Sequence, residues 1–182
     1  MNSIIIAAAL LFAVLSSAPA MAKAVLIGGD LRFEGEVVAY PCSVAPESER
    51  VPVNFGEIST KSLYINGKSI PVPFSIRLQD CNPGLLNTVS VTFSGDENPN
   101  LANHLAIKAT AGGNASGVGI GLLEADNTPV SLGVPTTPVT IGDSVMQLDL
   151  QAFVEAEPDA LSKGTLTAGP FSATAYYLLN YQ

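Results

Sequence analysis

Tryptophan is absent from this 182-residue chain, and histidine occurs once, at His104. Without tryptophan, a stacking platform for sugar rings would have to be built from five tyrosines, and three of these (Tyr176, Tyr177 and Tyr181) belong to the final segment. One histidine is too few for a histidine-based metal centre, and the cysteines add only two more ligands. Any Ser-His-Asp or Cys-His arrangement would have to use His104, which stands in Asn103-His-Leu before an expected strand, with no G-x-S-x-G elbow in the chain. A surface residue is the expectation for it. Positive charge is also scarce: eight Lys and Arg face sixteen Asp and Glu, for a net charge of −8. With a pI near 4.4 and no basic cluster, the chain is expected to bind neither nucleic acid nor an anionic membrane surface.

Long apolar runs are limited to one, Ile4 to Leu15, which is too short for a permanent membrane span. Ser16-Ser-Ala-Pro-Ala-Met-Ala22 follows it, and Ala20-Met21-Ala22 has the small-x-small form of a cleavage site. Residues 1–22 are therefore expected to be a cleaved signal peptide, although Met1-Asn2-Ser3 brings no Lys or Arg. Residues 23–182 fit a single domain with a core of its own. Cys42 lies too deep for an N-terminal lipid anchor. In an exported chain, Cys42 and Cys81 read as one disulfide. Closing that loop contributes about 3–4 kcal/mol on a chain-entropy argument.

The remaining constellations give no chemistry. Asp96/Glu97 sit in a turn and Glu155/Glu157/Asp159 surround Pro158, so both groups read as solvated loop charge. Gly112-Gly-Asn-Ala-Ser-Gly-Val-Gly-Ile-Gly121 lacks the Gly-Lys-Ser/Thr ending of a phosphate loop. It reads instead as an inter-strand loop entering a strand with glycines at close-packing positions. Asn114-Ala-Ser116 matches a glycosylation sequon, a weak signal alone. No catalytic, cofactor-binding or metal-binding residue is expected, and the chain is expected not to be an enzyme.

What the sequence does contain is period-two alternation. Phe171, Ala173, Ala175, Tyr177, Leu179 and Tyr181 form an unbroken apolar series to the penultimate residue, which predicts one long strand with a buried face. Such a strand must be covered by the chain itself or offered to another molecule. Val25, Ile27, Gly29, Leu31, Phe33, Gly35 and Val37 alternate with Asp30, Arg32, Glu34 and Glu36 at the other end. Further strands are expected at Val51–Phe55, Phe74–Leu78, Thr88–Phe93, Leu105–Ala109, Val118–Leu123 and Val145–Val154, with a short helical turn at Thr60–Asn66. Met146, Leu148, Leu150, Ala152 and Val154 are expected inside, and Gln147, Asp149 and Gln151 outside. Short strands separated by turns, with thirteen prolines, predict an all-β sandwich.

Taken in order and spacing, the residues resemble the subunits of chaperone–usher pili, the type 1 and P pilus class. Arg32-Phe-Glu-Gly35-Glu-Val-Val-Ala-Tyr-Pro-Cys42-Ser-Val resembles that family's N-terminal extension joined to its first strand, with a glycine seven residues before the cysteine. Val53-Asn-Phe-Gly56, Leu78-Gln-Asp-Cys81 and Gly117-Val-Gly-Ile-Gly-Leu-Leu are similar to later family segments. Gly169, fourteenth from the end, and the penultimate Tyr181 match the C-terminal signature. The resemblance implies an incomplete immunoglobulin-like sandwich lacking its last strand, with Cys42 and Cys81 bridging the first two strands. It implies an acceptor groove, first for a periplasmic chaperone and then for the next subunit, involving Gly169, Phe171, Ala173, Ala175, Tyr177, Leu179 and Tyr181. It also implies a donor extension at about residues 23–38, with Leu31, Phe33, Gly35 and Val37 as donor residues. Partners would be that chaperone, an outer-membrane usher and neighbouring pilins, with no cofactor, and the location a cell-surface fimbria that supports adhesion.

A donor extension argues against a tip adhesin. The proline content argues for a minor subunit over the rod subunit, since the family's rod subunits run richer in Ala and Thr. Two other readings stay open on the residues alone: a self-contained secreted β-sandwich binding module, lectin-like, and an exported hydrolase using His104.

Overall fold

The computed structural model describes residues 27–37, 40–110, 113 and 115–182. The expected signal peptide, Val25 and the sequon residue Asn114 lie outside the described residues. The chain divides into two units, Met1–Val37 and Val38–Gln182. In the first, residues 27–37 carry no strand or helix, and Ile27, Leu31, Phe33 and Val37 are all exposed.

The second unit is a sandwich of antiparallel sheets. Its strands are β1 (Ser43–Val44), β2 (Val72–Gln79), β3 (Thr88–Gly95), β4 (Leu105–Ala106), β5 (Lys108–Ala109), β6 (Val118–Glu124), β7 (Pro129–Val130), β8 (Val139–Thr140), β9 (Met146–Ala156), β10 (Phe171–Ser172) and β11 (Ala175–Tyr181). One sheet has the order β1-β2-β9-β6-β4, with β7 also on β6. The other runs β11-β3-β8, and β10 pairs separately with β5.

Register explains the core. Ile76 opposes Leu148 and Phe74 opposes Leu150 across β2 and β9, while Ile120 opposes Val154 and Leu122 opposes Ala152 across β6 and β9. Paired residues share a face, so these side chains point together at the second sheet. There they meet Val89, Val91 and Phe93 of β3, all buried. Phe74 and Phe93, one from each sheet, meet edge-on at 6.5 Å. The alternation expected at Val145–Val154 holds as far as Ala152, with Met146 and Gln151 half-buried, and then breaks at Phe153, which is buried like Ala152 and Val154 on either side of it. Cys42 and Cys81 are bonded, which staples β1 beside β2.

Helix α1 covers Thr60–Asn66, as the sequence predicts, and Gly67 ends it at φ 75°. Five expectations change. Leu105–Ala109 is two short strands and not one, because Leu105–Ala106 pairs with β6 and Lys108–Ala109 with β10. Val51–Phe55 is not a strand: it joins no ladder among the described residues. The final segment is not one strand but two, because Phe171–Ser172 pairs with β5 and Ala175–Tyr181 with β3. The chain steps between these partners where it passes closely over Gly95, at which a Cβ would lie 2.9 Å from the Thr174 carbonyl oxygen. The carboxylates around Pro158 are not loop charge either. Glu155 lies in β9, and Glu157 precedes a second helix, α2 (Pro158–Lys163).

His104 likewise is half-buried where the sequence predicts an exposed surface residue. Its ring meets Phe153 edge-on at 5.7 Å, and Nε2 lies 3.2 Å from Glu155 Oε2. Beside it, the buried Asn98 donates to Glu157 Oε1 and to the Val118 carbonyl. This layer sits on Gly119 and Gly121 of β6; a Cβ would be tightly confined at Gly119 and would collide at Gly121. A Cβ at Gly121 would lie 2.4 Å from the Phe153 ring and 2.8 Å from His104 Nε2. Gly121→Val is therefore expected to destabilise the sandwich by about 1–3 kcal/mol through overpacking. A thermal midpoint equal to that of the parent chain would contradict this account of the layer.

Candidate functional site

The second sheet ends on β11. Its one ladder partner is β3, through seven paired positions from Ala175↔Gly95 to Tyr181↔Val89, and among the described residues no strand pairs with its other edge. On the facing side, β1 covers β2 only at Leu78 and Gln79. Pro73, which cannot donate to a ladder, lies in the part of β2 that β1 does not cover. Over this uncovered part of β2, between the open edge of β11 and the unpaired segment Val51–Phe55, runs a groove of about 1130 Å³.

The groove has two walls and an apolar floor. Phe171, Ala173, Ala175 and Tyr177 line one wall, and Val51, Val53 and Phe55 line the other. Phe74, Ile76, Phe93, Leu105, Ile120 and Ala152 form the floor, so the groove reaches the core itself. The Phe55 and Phe171 rings approach to 6.3 Å across it. Polar groups lie along the rim at Glu49, Arg50, Ser172 and Thr174. The polar groups at the rim form no catalytic constellation: Glu49, Ser172 and Thr174 have no histidine or lysine beside them in the lining. The cleft offers two things: apolar pockets at alternate positions, and unpaired main-chain groups beside them.

Two tyrosines anchor the β11 wall. The Tyr177 hydroxyl donates to the Ser48 carbonyl at 2.6 Å, and the Tyr181 hydroxyl reaches the Cys42 carbonyl at 3.4 Å. Ser48 is buried and its own Oγ accepts from the Arg77 amide, so the 3-10 turn Pro46–Ser48 bridges the two sheets. Burial raises the pKa of Tyr177, with Glu49 adding to it, and burial then Tyr177 raise that of Tyr181. A phenol whose folded pKa is raised stabilises the fold below its unfolded pKa of about 10, and that stability is lost as pH rises through the folded value. Tyr177→Phe should remove about 1 kcal/mol through the lost hydrogen bond and should flatten the alkaline fall in stability above pH 10. Chemical denaturation at pH 8 and pH 10.5 measures both, and an unchanged alkaline slope would contradict the assignment.

Of the residues expected to form an acceptor site, Phe171, Ala173, Ala175 and Tyr177 line the groove. Leu179 and Tyr181 continue the same face beyond it and pack against the core, while Gly169 is exposed in the loop before β10 and does not line the groove. Sequence reasoning missed the opposite wall and the floor. The signal for the wall was present, since Val51, Val53 and Phe55 alternate around a proline, the mark of an unpaired edge.

The family model for fimbrial proteins matches residues 31–182. The chain is 33% identical over 182 residues to PmfF of Proteus mirabilis (strain HI4320), whose name assigns it provisionally to the minor fimbrial subunits, with 100% of both chains covered. It is 34% identical over 185 residues to the Fimbria A protein of Serratia marcescens, covering 100% of this chain and 99% of that one. Among solved structures, a chaperone–usher pilus described in terms of rod uncoiling aligns with a TM-score of 0.67 at 27% identity, over 88% of this chain and 100% of the other. The solved pilus structure shares the all-β, immunoglobulin-like sandwich described above. The chain belongs to the fimbrial protein family: it is a structural subunit of extracellular surface fimbriae of the chaperone–usher class and not an enzyme.

Proposed function

We propose that this subunit polymerises by exchange of an added strand, supporting cell adhesion as part of the fibre. The groove between β11 and Val51–Phe55 receives a strand from a periplasmic chaperone. At an outer-membrane usher that strand is replaced by the N-terminal extension of the next subunit. This chain's own extension, about residues 23–38 after removal of residues 1–22, is donated in turn, with Leu31, Phe33, Gly35 and Val37 facing the acceptor. The single observation that carries this reading is the groove: an apolar cleft open to the core and flanked by two unpaired backbone edges. β-strand addition, of which chaperone–pilin complementation is a known instance, needs those two features.

The energetics fit a durable joint. Three apolar donor side chains contribute about 1.5–3 kcal/mol each on burial, and main-chain hydrogen bonds on both edges add to that. Left empty, the groove exposes apolar surface that favours aggregation. The provisional assignment of PmfF and the thirteen prolines support a minor subunit over the rod subunit.

Periplasmic expression with and without a cognate chaperone tests the proposal. Soluble chain is expected only in the chaperone complex, with loss to aggregation or degradation in its absence. A soluble monomer that unfolds cooperatively without a chaperone would overturn it and favour a self-contained binding module.

A further inference from the structure

The end of the sandwich around the disulfide carries exposed apolar side chains, of which Tyr40 rests one side of its ring against Tyr181 at 6.5 Å. Tyr40, Leu85, Leu86 and Val145 are 69%, 51%, 36% and 53% exposed. Single exposed apolar residues are ordinary, but these four are drawn together by the backbone. The Asn82 amide donates to the Pro41 carbonyl, the Cys81 amide to Ser144, and the Ile141 amide to Asn87. Three loops, at Tyr40–Pro41, Asn82–Asn87 and Ile141–Val145, are thereby gathered around Cys42–Cys81.

We infer that Tyr40, Leu85, Leu86 and Val145 form a second contact surface, seated on the body of the fimbrial subunit that receives this chain's extension. The inference rests on the strand-donation reading, and chain length supplies the argument. Val37, the last donor residue, and Cys42, fixed by its disulfide, are five residues apart. Fully extended, that tether spans about 17 Å. A domain the size of residues 40–182 has a radius of about 19 Å, from the usual scaling of the radius of gyration. With Val37 held in a neighbour's groove, the face around Cys42 is kept closer to that neighbour than a domain radius. The exposed apolar face at the root of the tether is therefore the one brought against it. Burial there adds to the strand joint and restrains the angle between successive subunits.

The test places a photoreactive benzoylphenylalanine in the full-length chain at Phe33, Tyr40 or Leu86, in cells supplying the cognate chaperone, usher and other subunits. Irradiated fimbriae are sheared and the adducts identified by mass spectrometry. All three positions are expected to shift this chain to an adduct with the same neighbouring subunit. An adduct at Phe33 with none at Tyr40 or Leu86 would overturn the second contact and leave strand donation standing. Adducts at Leu86 with a different subunit from that captured at Phe33 would also overturn it. Absence of an adduct at Phe33 in assembled fibres would overturn strand donation, and this inference with it.

Discussion

Phe33→Asp is expected to leave chaperone capture intact and to exclude the chain from its donor position in the fibre. Phe33 is 87% exposed, so the substitution removes no packing from the folded subunit. Once donated, the same side chain would lie in a neighbour's apolar groove. Losing its burial costs about 1.5–3 kcal/mol. Placing an unpaired carboxylate in the groove costs several kcal/mol more. The sum exceeds about 4 kcal/mol, a thousandfold or more in affinity. Gly35→Val should act in the same direction by adding bulk where the strand passes between two walls. Chaperone pull-down and the fibre fraction read the two steps separately. Chaperone complex lost together with assembly would contradict the donor assignment, as would normal incorporation.

Replacing both cysteines, Cys42→Ser with Cys81→Ser, is expected to cost about 3–4 kcal/mol. Domains of this size are stable by about 5–15 kcal/mol, and this one lacks a strand, so the loss takes a large share of its margin. The bond does more than close a loop of sequence separation 39. It holds β1, which pairs with β2 through only two residues, and it fixes Cys42, whose carbonyl receives the Tyr181 hydroxyl. The thermal midpoint of the chaperone-released, strand-complemented subunit should fall by about 10 °C. A midpoint unchanged by the substitutions would contradict the structural role given to the bridge.

Much of this architecture was legible in the residues because strand burial leaves a period-two trace. Thr88–Phe93 and Val145–Val154 declared themselves in that way, and they became β3 and β9, the centres of the two sheets. Alternation reports which face is buried, but it does not report who the ladder partner is. Val51–Phe55 alternates as a strand does, yet it has no ladder partner among the described residues. The same limit hid the step at Ala173–Thr174, where one apolar series serves two different partners. Helix α2 was missed although Pro158 at its first turn and Gly164 beyond its last residue are ordinary start and stop signals. Its six residues are too few to show a helical period. His104 and Glu157 escaped because their partners, Phe153, Glu155, Asn98 and Asn100, come from distant parts of the sequence.

The central claim is that Val51–Phe55 and the free edge of β11 await the same strand. Amide hydrogen exchange at Val51, Val53, Asn54 and Phe55 tests it most directly, comparing the assembled fibre with the subunit freshly released from its chaperone. These amides should exchange rapidly in the released subunit and become strongly protected in the fibre, while β3 amides stay protected in both. Equal, rapid exchange at Val51–Phe55 in the two states would show that no strand enters the groove, and would contradict the account.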